Sequence, residues 1–172
     1  MTEPTVVTPF AAKDPVDPED PTALENRKIL KEIAARGKAK SSIISFAQYL
    51  DPSYQVYAPH RYIAERLEKV RTGELRRLAI FIPPASGKST LVSRTFPAYC
   101  LGHDPTIKFI EVSYNADLAK GFGREVRNKI QEPGFQTLFP DTRIAPDATA
   151  ADQWATTAGG SYNAEGVGGG LI

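Results

Sequence analysis

The chain has 172 residues, of which 41% are hydrophobic and 24% are charged, and its formal net charge is +1. This composition is typical of one globular domain with its own core, and the longest apolar run, residues 78–82, is far shorter than the roughly 20 residues of a membrane-spanning helix. The first twenty residues contain four prolines and no apolar stretch, which predicts that no secretory signal is present. The single cysteine, Cys100, excludes an intramolecular disulfide and thiolate metal clusters, so we expect a reducing compartment such as a cytoplasm.

The charges are distributed unevenly along the chain. Residues 1–20 contain five acidic side chains and one basic one, whereas residues 21–77 contain twelve basic and six acidic side chains. A basic segment of this kind can face nucleic acid or another anionic surface. The alternative is that its lysines and arginines only solvate the faces of helices.

The first half of the chain is predicted to be a tail followed by helices. Residues 1–19 are rich in proline and acid, and we expect them to be disordered. Asp20 and Pro21 resemble an N-cap and first helical position, which predicts a helix over 21–36 that ends near Gly37. Apolar spacing predicts two further helices, residues 43–50 and 59–70, the second of which is closed by Gly73. Residues 20–76 therefore form a helical lead-in segment.

From residue 77 the pattern alternates between strands and helices, which predicts a partial P-loop core over 77–172. Residues 78–82 are continuously apolar, as in a buried strand of a parallel sheet. Pro97 is expected to end or kink the helix that follows the next loop. In order, the predicted elements are a strand over 78–82, a loop over 83–87, a helix over 88–101, a strand over 107–113, a helix over 116–131, and possible strands over 152–157 and 162–167. This alternation predicts an α/β fold with a doubly wound parallel sheet flanked by helices.

The most informative stretch is the loop between the first predicted strand and its helix, which carries Gly87, Lys88 and Ser89 in succession. In a P-loop, glycine lets the backbone approach phosphates, while N–H groups at the helix N-terminus point at their oxygens. Lys88 can then reach the β- and γ-phosphates of ATP, and the Ser89 hydroxyl can bind Mg²⁺. The match is incomplete, because the first glycine of the usual pattern falls at Ile82. The predicted phosphate-binding residues are Pro84, Ala85, Ser86, Gly87, Lys88, Ser89 and Thr90.

With this loop in place, the chain resembles the ATPase domain of tailed-phage large terminase subunits, the motors that package viral DNA. The resemblance covers about residues 43–172, and each of its motifs is weak alone although their order is specific. The segments that carry it are 46–50, 57–64, 77–84, 112–119, 122–127, 138–140, Trp154, 159–162 and 166–170.

The resemblance implies a P-loop NTPase of the additional-strand type that uses ATP and Mg²⁺. It also implies double-stranded DNA, a portal protein, a small terminase subunit and a homo-oligomeric ring as partners, in a host cytoplasm and without a membrane. Tyr57 and His60 precede the loop by about the interval at which the family places its adenine contacts. Arg124, Arg127 and Arg143 are candidates for an arginine finger that acts on a neighbouring subunit.

The sequence departs from this family in two respects. Many relatives carry an arginine or histidine in the loop where this chain has Ala85 and Ser86. In addition, the family's Walker B strand, with its magnesium-binding and catalytic carboxylates, and its nuclease domain lie beyond Ile172. Glu111 ends an apolar run, but in additional-strand ATPases that strand is distant from the P-loop, so we interpret Glu111 as structural. We therefore expect the chain to bind nucleotide poorly and to hydrolyse it slowly or not at all.

Two alternatives remain open at this point. The chain could belong to another P-loop enzyme, such as a helicase-like ATPase or a small-molecule kinase. It could also be a catalytically inactive fragment or assembly module of a split or interrupted terminase gene. His103 and Cys100 are too isolated to indicate a metal site or a nucleophile.

Overall fold

The structure is a computed structural model that describes residues 21–167. The predicted disordered tail, residues 1–19, and the glycines 168–170 of the resemblance lie outside the described residues. The described residues divide into two units, one ending at residue 34 and the other beginning at residue 35. This division falls inside the first helix. The sequence pattern placed its boundaries after residues 19 and 76.

Three helices precede the loop. They are α1 (Pro21–Ser41), α2 (Ile43–Leu50) and α3 (Ala58–Arg71). Helix α1 continues past Gly37, and the predicted end near that residue is wrong. One glycine inside a helix costs only about 1 kcal/mol, and Ala39 in the last turn is fully buried. Ser42 caps α2 by accepting a hydrogen bond from the Ser45 N–H at 3.5 Å, and the end of α3 near Gly73, whose φ is +79°, is as predicted.

Residues 78–82 do not form the predicted strand. Ile80 and Ile82 pack against the core, whereas Phe81 points outward with 91% of its surface exposed. A strand needs a hydrogen-bonded neighbour, and none of the strands in the described part of the chain pairs with this segment. The apolar pattern therefore correctly indicated that one face of this segment is buried, but it did not show whether a neighbouring strand pairs with it.

The helix after the loop is interrupted by a π-helical turn. Helical residues begin at Lys88, the π-helix covers Thr90–Thr95, and α4 covers Phe96–His103. The Phe96 N–H donates to the Leu91 carbonyl, and the Thr95 hydroxyl donates to the Thr90 carbonyl at 2.8 Å. The wider turn lies directly before Pro97, which has no N–H to donate. The helix thus does not end early at Pro97 but continues to His103, two residues past the predicted end at residue 101.

The remaining elements are β1 (Lys108–Ser113), α5 (Ala116–Gln131), α6 (Pro133–Leu138), β2 (Ile144–Thr149), β3 (Gln153–Thr156) and β4 (Ser161–Gly166). Helix α5 has the predicted bounds, β1 and β3 lie within the predicted strand segments, and β4 begins and ends one residue before the predicted segment 162–167. The sequence did not predict α6 or β2. Helix α6 begins at a proline and buries Phe135 and Leu138.

The sheet has the order β1-β4-β3-β2 and is mixed. Only β1 and β4 are parallel, with Lys108 opposite Ser161 and Ser113 opposite Gly166, while the other two pairs are antiparallel. The predicted doubly wound parallel sheet is therefore wrong in this part, although the α/β class with flanking helices is confirmed. The short reversal between β3 and β4 makes them antiparallel, since a parallel pair requires a long crossover.

The core joins the helices to one face of the sheet. Phe46 of α2 is fully buried, with its ring centroid 5.3 Å from that of Tyr99 and 6.0 Å from that of Phe135. On the sheet, Trp154 stacks on Tyr162 with centroids 5.0 Å apart. No helix within residues 21–167 combines the length and apolar character that crossing a bilayer requires.

Candidate functional site

The loop that precedes the π-helix turns through two residues with left-handed backbone, and a hydrogen bond from one of its side chains spans the turn. Ala85 has a φ of +59° and Gly87 a φ of +75°. The Ser86 hydroxyl donates to the Pro83 carbonyl at 2.7 Å, across the bend. The left-handed region costs roughly 1–2 kcal/mol for a residue with a Cβ. Ala85 is thus held by the surrounding loop in a conformation it does not prefer.

The helix begins directly after Gly87, because the Leu91 N–H donates to the Gly87 carbonyl at 3.1 Å. The first N–H groups of a helix have no partner within the helix, and its dipole is positive at this end. Lys88 and Ser89 occupy the first turn. The loop and helix therefore present backbone donors, a cation and a hydroxyl at one place, which is an arrangement suited to an anion.

All predicted loop residues line one cavity of about 530 Å³. Its walls carry the Lys88 ammonium group and the hydroxyls of Ser86, Ser89 and Thr90. The described residues that line it include no carboxylate. The lining residues are Ile82, Pro83, Pro84, Ala85, Ser86, Gly87, Lys88, Ser89, Thr90 and Arg94.

The sequence did not predict Arg94, which also lines this cavity. Arg94 forms an ion pair with Glu125 of α5, and its guanidinium carbon lies 4.9 Å from the ring centroid of Phe122. Its Nη1 donates weakly to the Thr90 hydroxyl at 3.4 Å. Because Arg94 lies in the π-helix, the α-helical period of 3.6 residues does not predict the side of the helix on which its side chain lies.

A second cavity, of about 550 Å³, adjoins the first and contains both predicted base contacts. Tyr57 and His60 line it, together with Tyr54 and Gln55, which the sequence pattern did not single out. The two cavities share Ala85, Ser86, Gly87 and Thr90. An aromatic, amide-containing pocket beside an anion site has the size and chemistry to accept a planar heterocycle.

The arginine-finger candidates lie apart from these cavities. Arg124 and Arg127 belong to α5, and Arg143 precedes β2. None of the three lines the loop cavity or the adjoining one. An action on a neighbouring subunit therefore stays a prediction for each of them.

Glu111 faces the helices from β1. It accepts a short hydrogen bond from the Tyr162 hydroxyl. Burial raises the pKa of Glu111 above its ordinary value, against the opposing effects of hydrogen bonds from Tyr162 and Ser93 and of the positive charge of Arg94. Glu111 does not line the loop cavity.

The two isolated residues, Cys100 and His103, both lie in α4. Cys100 is 3% exposed, and burial raises the pKa of its thiol to about 12. Burial also lowers the pKa of His103, whose ring centroid lies 4.6 Å from that of Tyr99. A thiol with so high a pKa carries almost no thiolate at neutral pH, so Cys100 is not an activated nucleophile.

Comparison of the chain with models of protein families, with curated proteins and with solved structures gave no match. Within residues 21–167, no group of three or more histidine, cysteine, aspartate or glutamate side chains is placed to hold a metal ion. The chemistry of the site is therefore argued from the loop, its helix and the two cavities.

Proposed function

We propose that the chain binds a nucleoside triphosphate, with ATP and Mg²⁺ as the pair that fits best. The observation that carries this proposal is the loop cavity, in which Gly87, Lys88 and Ser89 begin a helix beneath a volume of about 530 Å³. Backbone donors and one lysine at a helix N-terminus favour polyphosphate over an uncharged ligand.

Each part of the site has a role in this proposal. Lys88 neutralises the outer phosphates, and the Ser89 hydroxyl supplies one oxygen to Mg²⁺, which otherwise takes phosphate and water oxygens. The adjoining cavity accepts the base against Tyr54 and Tyr57. The described cavity lining includes no carboxylate that could orient a water molecule, so the proposal for these residues is binding rather than hydrolysis.

We further propose that this is the ATP-binding part of a phage large terminase, which drives double-stranded DNA into a procapsid. The order of the motifs along the sequence supports this assignment. In addition, the basic side chains of α1, such as Arg27, Lys28 and Lys31, are exposed and available to an anionic partner. A ring of copies, a portal protein and a small terminase subunit complete the motor in the host cytoplasm.

The decisive test is a calorimetric titration of the chain with ATP in the presence of Mg²⁺. Lys88→Ala removes the cavity's lysine and is expected to weaken binding at least about a hundredfold, because the variant has no ammonium group to donate charge-assisted hydrogen bonds to phosphate in a partly enclosed site. Lys108→Ala is the matched control, since it removes an exposed lysine of β1 that lines neither cavity. Retained ATP affinity in Lys88→Ala would contradict the assignment of the site.

A further inference from the structure

His60 binds the loop with one ring nitrogen and the N-cap of its own helix, α3, with the other. The side chain is 5% exposed. Its Nε2 lies 2.7 Å from the Ser86 carbonyl oxygen, and its Nδ1 lies 3.3 Å from the backbone nitrogen of Tyr57. A carbonyl can only accept and a backbone N–H can only donate. His60 is therefore the tautomer that carries its proton on Nε2, donates to Ser86 and accepts from Tyr57.

This contact fixes the orientation of the peptide between Ser86 and Gly87. The carbonyl and the N–H of a trans peptide point in opposite directions, and residues 21–167 contain no cis peptide. With the Ser86 carbonyl directed at His60, the Gly87 N–H points away from the imidazole. A Cβ at residue 87 would lie 2.8 Å from Nε2, so glycine is required for so close an approach.

The loop has few other restraints on this peptide. The segment in front of it, residues 78–82, is not paired into the sheet. The Ser86 hydroxyl bonds to Pro83 within the loop itself. Gly87 accepts backbone conformations on both sides of φ = 0 at low cost. A rotation of the peptide would replace the N–H with a carbonyl oxygen, which repels an anion.

We propose that His60 is a positioning residue that holds the Ser86–Gly87 peptide with its N–H available to the phosphates of a bound nucleotide. This inference rests on the proposed function. It assigns His60 to phosphate binding rather than to hydrogen bonding with the base, because both ring nitrogens are already engaged. The aromatic surfaces for the base remain Tyr54 and Tyr57. The ring of Tyr54 stacks on the imidazole, with the two ring centroids 6.0 Å apart.

Two substitutions separate the contacts of the imidazole. His60→Gln places an amide N–H where it can reach the Ser86 carbonyl. His60→Asn is too short for that contact but keeps an acceptor for the Tyr57 N–H. We expect His60→Asn to weaken Mg²⁺-ATP binding about tenfold and to leave the affinity for adenosine unchanged, which shows that the variant is folded. His60→Gln is expected to bind ATP within about threefold of wild type.

Several outcomes would overturn the inference. Equal losses for ATP and adenosine in His60→Asn would make His60 a base contact. If His60→Gln lost as much ATP affinity as His60→Asn, the hydrogen bond to the Ser86 carbonyl would not explain the loss. An unchanged ATP affinity in His60→Asn would show that this hydrogen bond does not contribute to ATP binding.

If wild type binds no ATP, the proposed function is overturned, but the role of His60 in positioning the peptide is not. A second measurement tests that role without ATP. In ¹⁵N–¹H spectra, we expect a proton on Nε2 of His60 and a Gly87 amide signal that shifts in His60→Asn but not in His60→Gln. A proton found on Nδ1 of neutral His60 would overturn the positioning role.

Discussion

At the scale of single residues, Glu111 is a carboxylate held in an environment that favours its neutral form. Its raised pKa means that the folded chain keeps this proton to a higher pH than the unfolded chain does. The free energy of unfolding therefore falls as the pH rises from the ordinary value of 4.5 through the raised value, and it stays lower above that window.

Glu111→Gln should remove this dependence, since the amide oxygen still accepts from Tyr162 without bringing a charge. We expect the melting temperature of the variant, relative to wild type, to increase as the pH is raised from about 4.5 to 8, because only wild type loses its bound proton over this range. Thermal unfolding followed by circular dichroism at several pH values measures this difference. Glu25→Gln, at an exposed position of α1, is the control. A difference that does not vary with pH would contradict the argument.

The residues of the candidate site were predictable to different degrees. Lys88 and Ser89 follow from a local motif, and the structure brings Tyr57, the N-cap of α3, and His60, in its first turn, to the same loop. Arg94 was missed because the π-helix changes the direction of every residue after its first turn. The bond between His60 and Ser86 was also missed, since a contact across 26 positions has no sequence signal.

At the scale of elements, helix α5 offers two glycines in opposite environments. A Cβ on Gly121 would meet no atom within 4 Å, whereas one on Gly123 would lie 2.6 Å from the Ala151 carbonyl oxygen. Trp154 donates its indole N–H to the Gly123 carbonyl at 3.0 Å, so helix and sheet are in contact at this point. The glycine at 123 is thus required by packing, and the one at 121 is not.

We expect Gly121→Ala to stabilise the chain by about 0.5–1 kcal/mol through helix propensity. Gly123→Ala gains the same propensity but should destabilise the chain overall by about 1–3 kcal/mol, because α5 must move from the sheet. Chemical denaturation of the two variants compares the two effects within one helix. If both variants were stabilised alike, the close approach of α5 to Ala151 would be refuted.

The elements that the sequence predicted well are those set by local periodicity and caps. Helices α2 and α5 begin after Ser42 and Asn115, whose side chains accept hydrogen bonds from the first turn. The strand expected over residues 78–82 and the mixed order of the sheet depend on pairing between distant segments. Apolar composition indicates that such a segment is buried on one side, but it does not specify the neighbour.

At the scale of the whole molecule, the basic side chains are distributed in a way that bears on the proposed DNA partner. The basic residues of α1, Arg27, Lys28, Lys31, Arg36, Lys38 and Lys40, are all exposed. Contacts between such side chains and phosphates release counterions, so binding weakens as salt increases. A packaging motor acts on duplex DNA with little sequence preference, whereas a helicase-like ATPase engages a single strand through stacking.

We expect the chain to bind a labelled duplex more tightly than a single strand of the same length, with an affinity that falls steeply with salt. Replacing Arg27, Lys28 and Lys31 with glutamine should lower duplex affinity and reduce the salt slope by up to about 1 for each phosphate that is no longer neutralised. Fluorescence anisotropy over a range of salt concentrations measures both quantities, with Lys108→Gln on β1 as the control. A preference for the single strand would favour a helicase-like enzyme over the packaging motor.

Trp154 gives the molecule an internal optical probe. It is the only tryptophan in the chain, it is 1% exposed, its ring is parallel to that of Tyr162 within 4°, and its N–H is bonded to α5. Its emission therefore comes from one site and depends on whether α5 stays against the sheet. A shift of that emission to longer wavelength reports the separation of these two layers directly, without an added label and without interference from a second indole.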